Sequence, residues 1–301
     1  MNIQALTLRQ FRYFLAVARE KHFGRAAEAC AVSQPALSMQ IQELEAALGC
    51  TLIERRRGAI TLTEAGEDVA QRAGDILRAL QDLTDAARHR GAVLSGPLAL
   101  GAIPSIAPYL LPVALPMLTE SHPALVLSLR ETQTAPLLAD LREGQLDAVL
   151  MALPAGEAGL EALPLFDDPF FMAMSAKEGE ADTPLTPEAL ARPDLLLLEE
   201  GHCLRDQALA VCGRLAPEAR SRFGATSLTT ILQMVANGYG VTLLPGISVG
   251  SEKKPGVCIR SFRAPGPSRR IGLVWRRSSP RRRDFEALGA VLAEAGRRVL
   301  A

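Results

Sequence analysis

The chain has 301 residues with 33 basic and 33 acidic side chains, so its formal net charge at neutral pH is zero. This balance excludes a surface coated evenly with positive charge, and the length leaves room for a small domain followed by a larger one. No apolar run approaches the ~20 residues of a membrane span, and residues 1–4 lack the start of a secretory signal, so we expect a cytoplasmic protein without a membrane partner.

Three helices are predicted over the first 50 residues. Apolar residues recur at helical spacing from Leu8, and a helix of small residues follows around Ala26. Ser33 is placed to cap a third helix, which tolerates Pro35 in its first turn and ends at Gly49. One apolar stripe marks the buried face of this third helix: Leu37, Ile41, Leu44 and Leu48.

The opposite face of the third helix is left for a partner, in the position where recognition helices place side chains against base edges. A short hairpin over Leu52–Leu62 follows, and its arginines can lie along DNA phosphates. The candidate DNA contacts are Ser33, Gln34, Pro35, Ser38, Met39, Gln42, Arg55 and Arg56. Taken alone, such a helical trio is equally compatible with an ordinary core and a solvated outer face.

From Thr63 the pattern predicts one long helix with a heptad seam, formed by Val69, Ala73, Ile76, Leu80, Leu83 and Ala87. The seam favours pairing of two subunits, although the same residues can instead pack on the chain's own DNA-binding domain. We therefore divide the chain into a DNA-binding domain over 1–62, a linker and dimerisation helix over 63–91, and a regulatory domain over 92–301.

Beyond Pro97 short apolar strands alternate with helices, which predicts an α/β fold. The predicted strands are Leu98–Leu100, Leu125–Leu129, Leu146–Met151, Phe170–Met174, Leu195–Leu198, Val241–Leu244 and Ile271–Trp275. Glycine-rich phosphate loops, zinc-ligand spacings and a Ser/His/Asp triad are not evident, so we expect no metal and no cofactor. A second basic cluster, Arg276–Arg283, is interpreted as a solvated surface.

Cys203 is predicted to stand where a buried strand runs into a helix start. Backbone N–H groups at that start, together with His202 and Arg205, are expected to lower the pKa of the Cys203 thiol, whereas Glu199 and Glu200 would oppose this shift. A thiolate is the form of cysteine that attacks a peroxide. This position therefore suits a reactive cysteine.

Cys212 follows nine positions later, about 13 Å along an intact helix and roughly on its opposite face. A disulfide needs Cα atoms within about 7 Å, so oxidation of Cys203 to a sulfenic acid and attack by Cys212 must unwind the segment. A lasting structural disulfide is unusual in a reducing compartment, so an oxidised pair would be a sensor or a catalyst. The alternative is two unrelated thiols, one at the surface and one in the core.

Ser33-Gln34-Pro35-Ala36-Leu37-Ser38 and Leu62-Thr63-Glu64-Ala65-Gly66 closely resemble the DNA-binding domain of LysR-type transcriptional regulators, with Ile53 where the family usually carries an aromatic residue. The resemblance implies an all-α winged helix-turn-helix, a long linker helix that pairs subunits, and a periplasmic-binding-protein-like α/β regulatory domain. Its subdomain I would comprise about 92–165 and 269–301, and subdomain II about 166–268. Crossing strands near Leu163–Asp168 and Arg260–Arg269 would join them beside an effector cleft.

Gly201-His202-Cys203-Leu204-Arg205-Asp206-Gln207, with a second cysteine at Cys212, is similar to the redox centre of the hydrogen-peroxide sensors of this family. The resemblance implies that peroxide oxidises Cys203 and that Cys212 resolves the product. Thr134 and Ser105, which replaces an expected threonine, would hold peroxide or water near the sulfur. The reduced site would be tuned and positioned by His202, Arg205, Asp206 and Arg269, and Cys258 is interpreted as structural.

The sequence thus predicts a hydrogen-peroxide-sensing transcription regulator, rather than an enzyme, in which a reversible disulfide between Cys203 and Cys212 remodels the regulatory domain. The expected partners are double-stranded promoter DNA, hydrogen peroxide, RNA polymerase, a thiol reductant of the glutaredoxin or thioredoxin system, and further copies of the chain in a tetramer built as a dimer of dimers. Two alternatives stay open. One is a regulator that binds a small metabolite in the cleft, with incidental cysteines, and the other is a thiol peroxidase, against which the DNA-binding domain counts.

Overall fold

The computed structural model describes residues 6–56, 59–88, 92–178, 183–190, 192–212 and 224–301. Two separately packed units divide the chain, Met1–Ala87 and Arg88–Ala301. Residues 57–58 of the predicted hairpin and residues 89–91 of the predicted linker helix lie outside the described residues, as do the side chains of Arg55, Arg56, Ala87 and Cys212. Within the described part of the chain, no helix is both long enough and apolar enough to cross a membrane.

The first unit is a helical domain with a two-stranded hairpin. Its elements are α1 (Leu8–Glu20), α2 (Phe23–Ala29), α3 (Gln34–Leu48), β1 (Ile53–Arg56), β2 (Ala59–Leu62) and α4 (Glu64–Arg88). A capping box between Thr7 and Gln10 starts α1. Ser33 caps α3 by accepting a hydrogen bond from the Ala36 N–H at 3.4 Å, and Gly49 ends it with a φ of 72°.

The core of this unit lies under α3 and holds the hairpin against it. Leu37, Ile41 and Leu44 are buried, as the apolar stripe predicts, and Ile53 is buried beside them. The Glu45 carboxylate accepts hydrogen bonds from the Leu52 and Ile53 N–H groups at 2.7 and 3.2 Å. The hairpin is therefore fixed to the C-terminal part of α3 by both apolar packing and a charged acceptor.

The predicted seam of α4 divides into two parts. Ala73 is buried in the core of its own unit and Val69 packs against that core, as in the alternative left open by the sequence. Farther along, Ile76, Leu80 and Leu83 are 45%, 38% and 64% exposed. Among the seam side chains that the structure describes, only this second part presents an apolar face, so Val69 and Ala73 do not continue the pairing surface.

The second unit is an α/β domain. Its elements are β3 (Gly96–Ala102), α5 (Ala107–Ser121), β4 (Leu125–Glu131), α6 (Thr134–Glu143), β5 (Ala148–Leu153), β6 (Leu160–Ser175), β7 (Leu197–Leu198), α7 (Cys203–Cys212), β8 (Gly224–Ala225), α8 (Leu228–Ala236), β9 (Thr242–Pro245), α9 (Gly246–Val249), β10 (Val257–Ser261), β11 (Ser268–Arg276) and α10 (Arg282–Leu300). Two single-turn 3-10 helices, Ala176–Glu178 and Pro187–Leu190, stand between β6 and β7.

The long strand β6 joins two subdomains. Its first part pairs antiparallel with β11, in the sheet that continues through β5 and β3 to β4, and its last part pairs with β9 and β10. Separate hydrophobic cores lie in the two subdomains. The expected first crossing strand lies inside β6, whereas the second expected crossing is a loop that leads from β10 into β11.

The basic cluster near the C-terminus is not simply a solvated surface, as the sequence had suggested. Arg276 is 5% exposed and donates to the carbonyls of Leu141 and Leu146. Arg281 is 3% exposed and pairs with Asp284 at 3.0 Å. These two arginines tie α10 and β11 to the subdomain, because buried guanidinium groups need acceptors that surface arginines find in water.

Candidate functional site

Cys203 is the first residue of α7 and lines a pocket between the two subdomains. The pocket encloses about 190 Å³ of non-protein space, its open mouth included, and is lined by Ile103, Pro104, Ser105, Gln133, Thr134, His202, Cys203 and Leu204. Gly201 has a φ of +90°, and a β-carbon there would lie 2.6 Å from Gln133 Oε1. The backbone conformation therefore favours glycine at this position, whereas the Gln133 side chain could move away from a β-carbon.

Two hydroxyls predicted for this site lie beside the Cys203 sulfur. Both Thr134 and Ser105 line the pocket with Cys203, and each hydroxyl lowers the pKa of the Cys203 thiol. Thr134 is the first residue of α6, and Ser105 stands in the turn before α5. Thr134 Oγ1 is buried, and among the described residues it has no partner with good hydrogen-bond geometry. This hydroxyl therefore keeps its capacity to bond a small polar ligand.

Arg269 connects the pocket to a buried carboxylate. Its guanidinium donates to Ser105 Oγ at 2.8 Å, to the Ser105 carbonyl at 3.0 Å, and to Asp168 Oδ2 at 2.9 Å. The side chains of Arg269 and Asp168 are 2% and 0% exposed. Asp168 Oδ1 also accepts from the Ile247 N–H at 3.0 Å. Burial raises the pKa of the Asp168 carboxyl, with Arg269 opposing this shift.

Burial raises the pKa of the Cys203 thiol above its ordinary value. The residues around it in sequence act in opposite directions and left the net direction of this shift open. The charge of Arg269 lowers that pKa in part, followed by the hydroxyls of Thr134 and Ser105, while Asp206 raises it. The sequence shows the helix start and the nearby cations but not how far the sulfur is removed from water.

The other predicted tuning residues are distributed around the site. His202 is buried and lines the pocket. Arg205 points elsewhere, because its guanidinium donates to the Leu198 carbonyl at 3.0 Å. Asp206 is exposed and acts on Cys203 only through its charge. The cation that lowers the pKa of the Cys203 thiol is therefore Arg269 of β11. Arg205, although close to Cys203 in sequence, is bonded elsewhere.

The helix α7 is continuous from Cys203 to Cys212. Nine positions of α-helix rise about 13 Å, so the two Cα atoms are too far apart for a disulfide in this conformation. Cys258 lies on β10, where it is paired in register with Met174 and is a free, half-buried thiol. The structure is thus that of a conformer in which Cys203 and Cys212 are not bonded to each other.

Two further polar groups near the site were missed by sequence reasoning. Asp168 gave no signal because its partner lies 101 positions away in the chain. The Tyr109 hydroxyl, on α5, donates to Glu252 at 3.0 Å, and Thr229 donates to the same carboxylate oxygen at 3.0 Å. Burial and the nearby Glu252 raise the pKa of the Tyr109 hydroxyl, so it remains a donor. This bond links the two subdomains at a second point.

In the first unit, the outer face of α3 presents most of the predicted DNA contacts to solvent. Gln34, Pro35 and Gln42 are exposed, and Met39 is 53% exposed. Ser38 is half-buried, while the Ser33 oxygen accepts the capping hydrogen bond of α3. A polar, exposed face on a helix whose other face is fixed in a core is the arrangement with which recognition helices enter the major groove.

Comparisons with known proteins match both units. Residues 8–67 match the model "Bacterial regulatory helix-turn-helix protein, lysR family", and residues 91–297 match "LysR substrate binding domain". The DNA-binding transcriptional dual regulator OxyR of Escherichia coli is 42% identical over 289 residues, which cover 95% of each chain.

Two solved structures are similar over nearly the full length. A full-length OxyR variant from Pseudomonas aeruginosa is 40% identical with a TM-score of 0.76, and the match covers 95% of this chain and 94% of that one. A mutant OxyR from Corynebacterium glutamicum, bound to hydrogen peroxide, is 37% identical with a TM-score of 0.68, and the match covers 98% and 94% of the two chains.

Proposed function

The chain belongs to the LysR family of DNA-binding bacterial regulators, and from this premise we propose that it senses hydrogen peroxide through Cys203 and changes transcription of antioxidant genes. It is a close homologue of OxyR, and a relative from Pectobacterium carotovorum carries the name hydrogen peroxide-inducible genes activator. In this chain the response would be a disulfide between Cys203 and Cys212 that reshapes the regulatory domain.

The observation that carries this proposal is the convergence of two buried hydroxyls on the Cys203 sulfur. Thr134 Oγ1 is buried without a partner of good geometry among the described residues, and the Ser105 oxygen accepts from Arg269. Because the Ser105 oxygen is held as an acceptor, its own proton is directed elsewhere. A peroxide beside the sulfur could thus receive hydrogen bonds from both hydroxyls, on the oxygen attacked and on the oxygen that leaves.

The first chemical step is oxidation of Cys203 by two electrons. The thiolate attacks one peroxide oxygen, so that a sulfur–oxygen bond forms while the oxygen–oxygen bond breaks, and the departing hydroxide takes a proton to become water. The starts of α5, α6 and α7 surround this pocket, and the positive ends of helix dipoles favour the negative charge that passes to the leaving oxygen. The product is a sulfenic acid on Cys203.

The second step converts local chemistry into a change of shape. The Cys212 thiol attacks the Cys203 sulfenic acid, which forms the disulfide and releases water. Because α7 holds these residues about 13 Å apart, the helix must unwind before the sulfurs meet. A thiol reductant of the glutaredoxin or thioredoxin system would return two electrons and two protons and restore the helix.

On DNA, the exposed face of α3 would enter the major groove of a promoter half-site, with Gln34, Met39 and Gln42 nearest the bases. Arg55 and Arg56 remain proposed phosphate contacts. Ile76, Leu80 and Leu83 of α4 would pack against the same residues of a second subunit, since large apolar side chains at this spacing are typical of pairing helices. Two such dimers would form the tetramer, which acts in the cytoplasm with RNA polymerase.

A metabolite-responsive regulator and a thiol peroxidase are the competing functions. The pocket at Cys203 encloses far less room than the roughly 300–1,000 Å³ of sites for larger ligands. This size favours peroxide over a metabolite. A peroxidase would turn over peroxide with a thiol reductant at an unchanged rate after deletion of residues 1–62, whereas a sensor would react once in each reductive cycle.

The proposal is tested by promoter footprinting and transcription with reduced protein, peroxide-treated protein and Cys203→Ser. We expect peroxide to change the footprint and the transcript level of the unsubstituted protein and to leave Cys203→Ser unresponsive. Cys258→Ser, at a thiol away from the pocket, is the matched control and should respond normally. A normal peroxide response in Cys203→Ser would refute the proposed function.

A further inference from the structure

The ion pair of Asp168 and Arg269 is buried where the two subdomains meet. The two residues are register partners on β6 and β11, and Asp168 stands at the point where β6 leaves one subdomain for the other. Removing two charges from water is costly, and such pairs commonly stabilise a fold no better than an apolar pair of similar size. The position of this pair therefore calls for a role beyond stability.

Arg269 connects the ion pair to the pocket. Its two terminal nitrogens reach the side chain and the carbonyl of Ser105 at 2.8 and 3.0 Å, which fixes the hydroxyl in one place. Since Ser105 Oγ accepts from Arg269, its proton is available to the Cys203 sulfur or to a peroxide beside it. The Arg269 guanidinium thus donates to the Ser105 hydroxyl, and that hydroxyl can in turn donate to the sulfur or to the peroxide.

Asp168 in turn fixes Arg269. One carboxylate oxygen accepts from Arg269 Nε at 2.9 Å, and the other accepts from the Ile247 N–H at 3.0 Å. With a carboxylate anchored at both oxygens, the planar guanidinium has a single orientation in which its remaining nitrogens meet Ser105. Without Asp168, Arg269 would be a buried cation, and no other carboxylate among the described residues would fix the orientation of its guanidinium group.

We propose that Asp168 is a positioning residue for the oxidation of Cys203, acting through Arg269 to aim the Ser105 hydroxyl at the sulfur and its peroxide. This inference rests on the proposed function. Asp168 touches neither the sulfur nor the peroxide, so its whole effect passes through Arg269. The effects of substitutions at Asp168 and Arg269 on the rate of Cys203 oxidation should therefore not be additive, because both substitutions disable the same interaction with Ser105.

The test measures the second-order rate of Cys203 oxidation by hydrogen peroxide in the full chain carrying Cys212→Ser, which stops the reaction at the sulfenic acid. Rapid quenching and peptide mass spectrometry report the product. Asp168→Asn should slow oxidation by roughly 10-fold and Arg269→Gln by roughly 10- to 100-fold, as misplaced catalytic contacts do. The double variant should match Arg269→Gln within about twofold.

Two controls separate positioning from general damage to the fold. Asp167→Asn alters the neighbouring ion pair with Arg270, which is 58% and 59% exposed, and should leave the rate unchanged. Alkylation of Cys203 by iodoacetamide should not accelerate in Asp168→Asn, whereas loosened packing would expose the sulfur and speed this reaction.

The outcomes are distinct. Unaltered oxidation in Asp168→Asn, faster alkylation in that variant, or losses that multiply in the double variant would each overturn the role of Asp168. If the reference protein with Asp168 intact did not form a sulfenic acid at Cys203 at all, the proposed function itself would fail. Slower oxidation of Cys203 without faster alkylation, together with a non-additive double variant, is the result that supports the inference.

Discussion

Cys203 and Cys212 are the first and last residues of a single helix, α7, and that helix holds them too far apart to bond. The proposed disulfide therefore depends on the stability of α7 as well as on the reactivity of the sulfurs. Oxidation of Cys203 and formation of the disulfide are separable steps, and changes that act on the helix should alter only the second.

Ala210→Gly tests this dependence. Ala210 is an exposed residue within α7, where glycine disfavours the helix by about 1 kcal/mol, so disulfide formation should accelerate about fivefold. The rate is followed by quenching with a thiol reagent and by mass spectrometry, and the preceding oxidation of Cys203 should be unchanged. Ala290→Gly, at an exposed position of α10, is the matched control and should have no effect. An equal or slower rate in Ala210→Gly would show that helix opening does not limit the step.

The raised pKa of Cys203 predicts the pH dependence of its reactivity. A thiol whose pKa lies above its ordinary value is mostly protonated at neutral pH, so its thiolate fraction rises about tenfold for each pH unit. Alkylation of Cys203 by iodoacetamide should therefore keep increasing from pH 6 to pH 8. A plateau in that range would indicate a lowered pKa and would contradict the burial argument.

Gln34→Ala tests the proposed DNA face. Loss of a side-chain contact to a base should weaken binding to the specific promoter site by roughly 10-fold and relax the preference at one base pair, while binding to a scrambled duplex changes little. Fluorescence anisotropy at fixed salt measures both affinities. Gln71→Ala, at an exposed position on α4, should leave them unchanged. Equal losses on both duplexes would remove Gln34 from base recognition.

Leu83→Glu tests the proposed pairing of α4. The Leu83 side chain is 64% exposed, and a carboxylate buried there between two subunits would be costly. Sedimentation equilibrium should show dissociation of the oligomer at concentrations where the unsubstituted protein remains associated. Gln71→Glu introduces the same charge at an exposed position on the opposite face of α4 and should retain the oligomer. Unchanged assembly of Leu83→Glu would place the interface elsewhere.

Features encoded by neighbouring residues could be predicted from the sequence. The cap at Ser33, the buried stripe of α3 and the helix start at Cys203 each depend on a few adjacent positions, and the structure has all three. Most strands of the regulatory domain were also predicted, because apolar runs between helices identify them, but β8, β10 and the first part of β6 were not among those runs. The closeness of Ser105 and Thr134 to Cys203 followed from the family resemblance and could not have come from spacing.

Features that depend on distant contacts could not be predicted. Adjacent strand residues face opposite ways, so Arg269 and Arg270 are equivalent in sequence until the sheet places one in the core and the other in solvent. The same holds for Arg281, whose acceptors include the Pro97 carbonyl 184 positions away. The degree to which Cys203 is removed from water likewise depends on the turn before α5 and the start of α6, far from α7 in the chain.

The central claim is that peroxide joins Cys203 to Cys212 by opening α7. Its most direct test is peptide mass spectrometry of the full chain after treatment with one equivalent of hydrogen peroxide, with free thiols blocked before digestion. We predict a single new cross-link, between the peptides that contain Cys203 and Cys212, which disappears on reduction. A disulfide from Cys203 to Cys258 in its place, or no disulfide at Cys203, would contradict the claim.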